Sequence, residues 1–109
     1  MNEIDKLTAE LRKFRDERDW AQFHNPKDLA IALSIESGEL LELFLWKAAE
    51  DADAEKIKEE LADVLAYAFM LADQYGLDVA QIMREKLDKN ALKYPVDKAK
   101  GSAKKYTEL

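Results

Sequence analysis

Two long apolar segments, each interrupted by a pair of acids, constrain the fold of this chain more than any other feature. Between Leu29 and Trp46 the charged residues are Glu36, Glu39 and Glu42, and the segment contains no Lys or Arg. Glu36 and Glu39 are three residues apart, so in a helix their carboxylates lie on one face, one turn apart. The leucines of this segment recur at helical spacing through Glu36, which predicts that this acid lies in the interior or at its edge.

The second apolar segment repeats the pattern with Glu60 and Asp63. Asp63 is the only charged residue between Leu61 and Ala72. An ionised carboxylate in an apolar interior is costly unless it is paired, hydrogen-bonded or bound to a metal. Because neither pair has a basic partner within its segment, we predict a divalent cation, and carboxylate oxygens suit Mg²⁺ or Mn²⁺ better than Zn²⁺. The alternative is that the acids lie on solvated helix faces, which would explain either pair alone better than both together.

The composition favours an all-α fold. With 109 residues the chain is long enough for one domain with one core. It has 3 Gly and 2 Pro, too few turn residues for a many-stranded sheet. We therefore predict one domain over residues 1–95, followed by a basic C-terminal tail over residues 96–109.

Apolar periodicity and capping residues predict four helices. They run from near the N-terminus to about Trp20, from the Asn25 cap and Pro26 to about Lys47, from about Ala54 to Tyr75, and from the Asp78 cap to a point before Pro95. Gly76 is the predicted C-cap of the third helix. Short connections suggest a four-helix bundle-like arrangement. Burying such apolar helices completely is easier in a homodimer, or in a homotetramer built as a pair of dimers, than in a monomer.

Charge and composition also bear on partners and compartment. A formal net charge of -6 disfavours binding to a nucleic acid polymer. The start of the chain does not resemble a signal peptide, and no uncharged segment approaches transmembrane length, so we expect no membrane partner. The chain has no Cys, which is compatible with the reducing cytoplasm where we expect the protein.

The acids and the aromatic residues together suggest nucleotide chemistry. A carboxylate-bound Mg²⁺ bridges phosphate oxygens and offsets their charge, and a carboxylate that the metal leaves free can accept a proton from an attacking water. Trp20, Phe23, Trp46 and Tyr67 are candidates for stacking on a base, although large aromatic side chains more often pack in a core or an interface. His24 is the only His, which disfavours a Ser-His-Asp site and a di-iron bundle.

The two acid pairs resemble a known signature. Glu36-x-x-Glu39 followed by Glu60-x-x-Asp63 is similar to the acidic motif of the MazG-type nucleotide pyrophosphohydrolases, which are all-alpha NTP pyrophosphatases. The resemblance is strongest to the small dCTP pyrophosphatase branch. It also includes residues 18–24, 42–47, 94–95 and 104–109, and so extends over nearly the whole chain.

The resemblance implies a Mg²⁺-dependent enzyme for nucleotide pool house-cleaning. Such an enzyme cleaves the α–β phosphoanhydride of (deoxy)nucleoside triphosphates, of which dCTP or a related nucleotide is the expected substrate, and releases monophosphate and pyrophosphate. The metal-ligand and catalytic positions are Glu36, Glu39, Glu60 and Asp63. The substrate-binding positions are Trp20, His24, Trp46, Tyr67, Lys86 and Asn90. Relatives usually form homodimers or homotetramers, and the basic tail resembles a segment that closes over the substrate or a neighbouring subunit.

One position departs from the pattern, and other functions stay open. Leu11 stands where some relatives are expected to have a His, which bears on the base preference. A related all-alpha pyrophosphatase acting on dUTP or on a phosphoribosyl nucleotide would share the metal site. From a different class, a non-catalytic helical oligomerisation module could bind metal or nucleotide without cleaving it.

Overall fold

In the computed structural model, which describes residues 2–109, all regular secondary structure is helical. The helices are α1 (Glu3–Glu17), α2 (Pro26–Glu42), α3 (Ala54–Gln74), α4 (Val79–Lys93) and α5 (Val96–Ala99). The prediction of an all-α chain is therefore confirmed, and α1 to α4 are the four predicted helices. The one-turn helix α5 lies in the segment that was predicted as a tail. Within residues 2–109, each helix is too short or too polar to cross a membrane.

Side-chain caps set the starts of two helices. The Asn25 side chain accepts a hydrogen bond from the backbone N–H of Asp28 at 2.9 Å and begins α2. In the same way, the Asp78 side chain accepts one from the N–H of Gln81 at 3.0 Å and begins α4. Each cap supplies an acceptor to an N–H group that has no partner within the helix. Gly76 follows α3 with a φ of 64°, a conformation that glycine adopts at little cost. These three predicted caps are confirmed.

The first helix ends earlier than predicted. It stops at Glu17 instead of continuing to about Trp20. Asp19 takes a φ of 54°, in the left-handed region that short polar side chains tolerate, and the N–H of Trp20 turns back to donate to the carbonyl of Arg15 at 3.0 Å. The Asp19 turn thus directs Trp20 back towards the helix that it follows.

The second helix also ends early, at Glu42 instead of about Lys47. Beyond it the backbone tightens to hydrogen bonds three residues apart, as in the N–H of Phe44 donating to Leu41 at 3.0 Å. Trp46 then takes a φ of 61°, which ends the helical path without a glycine. The apolar periodicity of this segment continues past the point where its regular helix stops.

The chain forms two compact units, Met1–Leu77 and Asp78–Leu109. In the first unit, α3 packs against both α2 and α1. Its buried core includes Leu29 from α2 with Met70 and Ala72 from α3. Thr8 is buried on α1, where its hydroxyl donates to the carbonyl of Ile4 at 2.9 Å, so this polar group has a partner.

In the second unit, the C-terminal segment packs against the end of α4. The Tyr106 ring meets the Tyr94 ring edge to face, with centroids 6.0 Å apart. The Lys93 ammonium lies 4.9 Å from the centroid of the Tyr106 ring. These contacts fold the basic segment back on α4 within this unit.

A bidentate ion pair joins α1 to α3. The Arg12 Nε and Nη2 atoms donate to the Asp73 Oδ2 and Oδ1 atoms, both at 2.7 Å. The Arg12 hydrogen bond, followed by its charge, lowers the pKa of Asp73. Because the Arg12 side chain is 46% exposed, solvent screens the pair and its contribution to stability is modest.

We predict that Arg12→Gln lowers the free energy of unfolding by about 0.5–1 kcal/mol at pH 7, measured by urea denaturation at fixed protein concentration. Since the folded-state pKa of Asp73 is lowered, this contribution is present above the unfolded pKa of about 3.9 and is lost as the pH falls through the folded value. The two proteins should therefore converge in strong acid. Lys13→Gln removes the same charge from the same exposed helix and is the control. An equal loss in both variants would show that the ion pair contributes nothing.

Candidate metal and nucleotide site

Packing of α2 against α3 brings three acids together. Glu36 from α2 and Glu60 and Asp63 from α3 each offer one carboxylate oxygen, and these three oxygens all lie within 4.8 Å of one another. The i, i+3 spacing places both acids of α3 near the same helix face, and the apolar stripe of α2 turns Glu36 towards that face. Two segments 20 or more residues apart in sequence therefore form one acidic group.

This acidic group lacks the partners that buried carboxylates need. Oε2 of Glu36 and Oε2 of Glu60 are buried and accept no hydrogen bond. Among residues 2–109, no ion pair involves these acids. Burial, then hydrogen bonding with Glu60 and Glu39, then the neighbouring negative charges raise the pKa of Glu36 to about 7. A proton on Glu36 can be shared with these neighbours, whereas full ionisation leaves two buried oxygens without a donor.

A divalent cation fits this donor set. Three carboxylates, two of which have a buried oxygen without a partner, supply hard ligands and negative charge at one point, as Mg²⁺ and Mn²⁺ require. The chain has no Cys and no second His for a softer metal site. Bound metal would replace the shared proton and satisfy both orphaned oxygens. The residues present thus match the group that the sequence predicts.

Glu39, the fourth predicted ligand, lies outside the close group of three. Its side chain is exposed, one turn after Glu36 on α2. It is nevertheless near enough for its charge to help raise the pKa of both Glu36 and Tyr67. Glu39 therefore belongs to the electrostatic surroundings of the acids, on their solvent side.

A cavity of about 270 Å³ adjoins the acids. Its wall is formed by α1, the connection to α2, and α3. The lining residues are Leu11, Phe14, Arg15, Trp20, His24, Asp63, Ala66, Tyr67 and Met70. Asp63 belongs to both the acidic group and this wall, so the two features are continuous. Of the predicted substrate-binding residues, the cavity brings together Trp20, His24 and Tyr67.

Local interactions hold Trp20 at this cavity. Its ring meets the Phe14 ring edge to face, with centroids 5.9 Å apart, and the guanidinium of Arg18 lies 3.6 Å from the centroid of the Phe14 ring. The Gln22 amide donates to the Asp19 carbonyl at 2.9 Å and steadies the turn before Trp20. An indole fixed in this way offers a flat apolar face to a ligand.

Two titratable side chains of the cavity wall, Tyr67 and His24, are held neutral near pH 7. Burial, followed by the charges of Glu36, Asp63 and Glu39, raises the pKa of Tyr67. Burial and the positive charge of Arg15 lower the pKa of His24, whose buried Nδ1 has no hydrogen-bond partner. The Tyr67 hydroxyl can donate or accept a hydrogen bond, and the neutral imidazole of His24 keeps one nitrogen as an acceptor.

Three predicted substrate-binding residues are not among the residues that line this cavity. Trp46 is 94% exposed, in the turns that follow α2. Lys86 and Asn90 are on α4, in the second unit of the chain. Their roles in substrate binding stay predictions.

Arg15 lines the cavity and was not predicted from the sequence. Its side chain is only 14% exposed, and its Nε donates to Asp16 Oδ1 at 2.8 Å. In an amphipathic helix with charges between the apolar positions, an arginine is normally assigned to the solvent face. The available signal was its position four residues after Leu11 and next to Phe14, which places it at the border of the buried face.

Comparisons with known proteins show what the chain as a whole is similar to. Residues 31–109 match the model of the MazG-like family. A dCTP pyrophosphatase 1 from Bos taurus is 42% identical over 117 residues, which include 100% of this chain and 68% of the relative. The Homo sapiens dCTP pyrophosphatase 1 is 40% identical, with 100% of this chain and 67% of the relative covered. The crystal structure of a pyrophosphatase from Archaeoglobus fulgidus superposes with a TM-score of 0.78 at 38% identity, over 87% of this chain and 94% of that one.

The raised pKa of Glu36 predicts how stability without metal depends on pH. The contribution of protonated Glu36 is fully present below the unfolded pKa of about 4.3 and is lost as the pH rises through about 7. The Tm of chelator-treated protein should therefore fall between pH 5 and pH 8, and added Mg²⁺ should restore it most at the higher pH.

The matched variants for this measurement are Glu36→Gln and Glu42→Gln, which remove one acid each from α2. Glu36→Gln should flatten the metal-free profile and weaken the response to Mg²⁺, because it removes the group that titrates and one ligand. Glu42→Gln should behave as the unmodified protein. A metal-free Tm of the unmodified protein that does not change between pH 5 and pH 8 contradicts the prediction.

Proposed function

Because the chain belongs to the MazG-like family, we propose that it hydrolyses dCTP or a related or modified nucleotide in a Mg²⁺-dependent reaction, with monophosphate and pyrophosphate as products. Its curated relatives identify it as a nucleoside triphosphate pyrophosphohydrolase. Beyond this activity, the proposal specifies Mg²⁺ as the metal, cytosine as the preferred base and the α–β phosphoanhydride as the bond that is cleaved.

One observation supports this proposal above the others. Asp63 belongs both to the group of three carboxylates and to the wall of a cavity with aromatic side chains. A nucleotide has the same two parts, since a polyphosphate needs a cation among these acids and a base needs flat apolar surfaces. A triphosphate at the acids with its base in the cavity would satisfy both.

The chain's own residues account for binding and proton transfer. Glu36, Glu60 and Asp63 would hold Mg²⁺, with Glu39 as a further ligand on the solvent side. When bound, the metal would offset the charge of the phosphate oxygens. A carboxylate of this group that is not fully committed to the metal can accept the proton of the attacking water. Trp20 and Tyr67 would flank the base, and Lys86 and Asn90 of α4 stay predicted polar contacts to the substrate.

Self-association is part of the proposal. On α2, Ile31, Ile35 and Leu41 lie on the face opposite buried Leu29 and are 47%, 57% and 71% exposed. Gly38 lies on that same face, and a Cβ built there meets no atom within 4 Å. A glycine inside a helix costs about 0.5–1 kcal/mol relative to alanine, a cost that close approach of another helix would explain. We assign this face to a second copy of the chain, in a homodimer or homotetramer.

Trp46 fits the same assembly. A tryptophan side chain exposed to 94%, in a turn with left-handed backbone, has no packing role within one chain. Contact with a neighbouring copy would bury it. Its predicted part in nucleotide binding would then depend on the assembly.

The reaction is tested by pyrophosphate release from each standard dNTP and NTP, with Mg²⁺ or with chelator, and by identification of the nucleotide product. We expect Mg²⁺-dependent formation of monophosphate, with dCTP among the best substrates. Glu60→Gln should lower kcat/KM by about 10²-fold or more because it removes charge at the phosphates, while the exposed neighbour substitution Glu59→Gln should leave it unchanged. Metal-dependent stability without any nucleotide product would instead favour the non-catalytic binding module.

The assembly is tested by sedimentation velocity on Ile35→Lys and on Gly38→Leu. Each places a charge or a bulky side chain on the exposed face of α2, away from the core of one chain. Both should shift the protein to a smaller species while the circular dichroism stays helical. As a control, Lys27→Glu changes an exposed charge at the start of the same helix. A monomeric unmodified protein, or unchanged assembly in both variants, would contradict the assignment.

A further inference from the structure

Arg15 is a largely buried cation at the cavity wall with most of its hydrogen-bonding capacity unused. Its side chain is 14% exposed, whereas Arg12, one turn earlier on α1, is 46% exposed and bonded through two nitrogens to Asp73. A guanidinium carries five N–H donors. Within residues 2–109, the Arg15 side chain donates one hydrogen bond, from Nε to Asp16. The terminal Nη1 and Nη2 groups have no protein acceptor there.

Apart from the neutral His24, which has one acceptor nitrogen, and the two polar residues beside the acids, the remainder of the cavity wall offers a base little to hydrogen-bond with. Leu11, one helical turn before Arg15, has no polar atom, and Phe14 and Trp20 present mainly ring surface. Tyr67 and Asp63 lie at the end of the wall beside the acidic group. Base stacking on aromatic rings tolerates every base, so stacking alone gives little discrimination. Discrimination between bases therefore needs a polar group among the rings, and Arg15 is the charged residue of the wall outside the acidic group.

We propose that Arg15 is the specificity-determining residue of this cavity, and that its two terminal N–H groups donate to two adjacent acceptors on the base edge. Among pyrimidines, cytosine has such an edge, because O2 and the unprotonated N3 are neighbours. Uracil and thymine carry a proton on N3, so one N–H would face another. The inference rests on the proposed function, since it requires that the cavity receives the base of a nucleotide.

The hydrogen bonding of the Arg15 side chain suits this role. Nε is used by Asp16, which leaves the edge formed by Nη1 and Nη2 for a ligand. Paired N–H donors in a fixed plane favour bidentate acceptors, as in arginine contacts with base edges. Guanine also has adjacent acceptors, O6 and N7, on its major-groove edge. The substrate panel therefore has to include dGTP, so that recognition of cytosine can be distinguished from recognition of guanine.

The experiment compares kcat/KM for dCTP, dUTP, dTTP and dGTP between the unmodified enzyme and Arg15→Met. The methionine keeps an apolar stem in the cavity and removes the donors. We expect kcat/KM for dCTP to fall by roughly 10- to 100-fold, and that for dUTP to change by less than about 3-fold, because a bidentate contact to the preferred base is lost. The preference for cytosine over uracil should therefore largely disappear.

Two further variants serve as controls for this experiment. Arg15→Lys keeps the positive charge and a long stem but not the planar pair of donors, so it too should lose the cytosine preference. Arg12→Met removes a neighbouring arginine of α1 that does not line the cavity, and it should leave the substrate ranking unchanged. An equal fall for all four nucleotides in Arg15→Met would overturn the proposal in favour of a phosphate contact. An unchanged ranking would show that Arg15 only pairs with Asp16, and a larger loss for dGTP than for dCTP would reject cytosine.

A binding measurement separates this inference from the proposed reaction. Isothermal titration calorimetry with dCMP and dUMP needs no hydrolysis. If the unmodified protein binds dCMP more tightly than dUMP and Arg15→Met abolishes the difference, the inference stands even where no triphosphate is cleaved. If triphosphates are cleaved but neither kcat/KM nor dCMP binding depends on Arg15, the reaction stands and the inference fails.

Discussion

The burial of Glu36 beside the acids of α3 is the constraint that most shapes the first unit. Packing α2 against α3 buries apolar side chains such as Leu29 and Met70, and the same packing forces three carboxylate oxygens to within 4.8 Å of one another. Without a cation, burial first and the neighbouring acids second disfavour the ionised form of Glu36, so its pKa rises to about 7. A bound divalent cation would reverse the sign of the interaction, so the metal would stabilise the helix pair as well as the substrate.

The sequence predicts most of this arrangement because its signals are local. Asn25 and Asp78 mark helix starts by side-chain hydrogen bonds to the next turn, and i, i+3 acids in apolar segments mark the acidic group. The C-terminal ends of α1 and α2 were predicted several residues beyond their actual positions. Asp19 and Trp46 adopt left-handed backbone after these helices, and the periodicity of the apolar residues does not indicate this change. A left-handed backbone at a non-glycine residue is difficult to predict from the residue types alone.

The site was harder to predict where it depends on tertiary contacts. Glu39 and Glu36 look equivalent in sequence, yet one side chain is exposed and the other is partly buried beside Glu60. Arg15 was missed because a charged residue on an amphipathic helix is normally read as solvated. Its burial becomes visible only when the chain turns at Asp19 and brings Trp20 and His24 back to the wall beside it.

The division of the site between helices has a functional consequence. The acids that would bind metal and phosphate come from α2 and α3, which pack extensively against each other, while the cavity wall that would contact the base is completed by α1 and the turn after it. Residues of α1 such as Leu11 and Arg15 can therefore change without altering the distances among Glu36, Glu60 and Asp63. In this arrangement one helix pair would determine the reaction, and side chains on another helix would determine which base is preferred. Substitutions at those two positions of α1 should accordingly alter the ranking of nucleotides more than the requirement for metal.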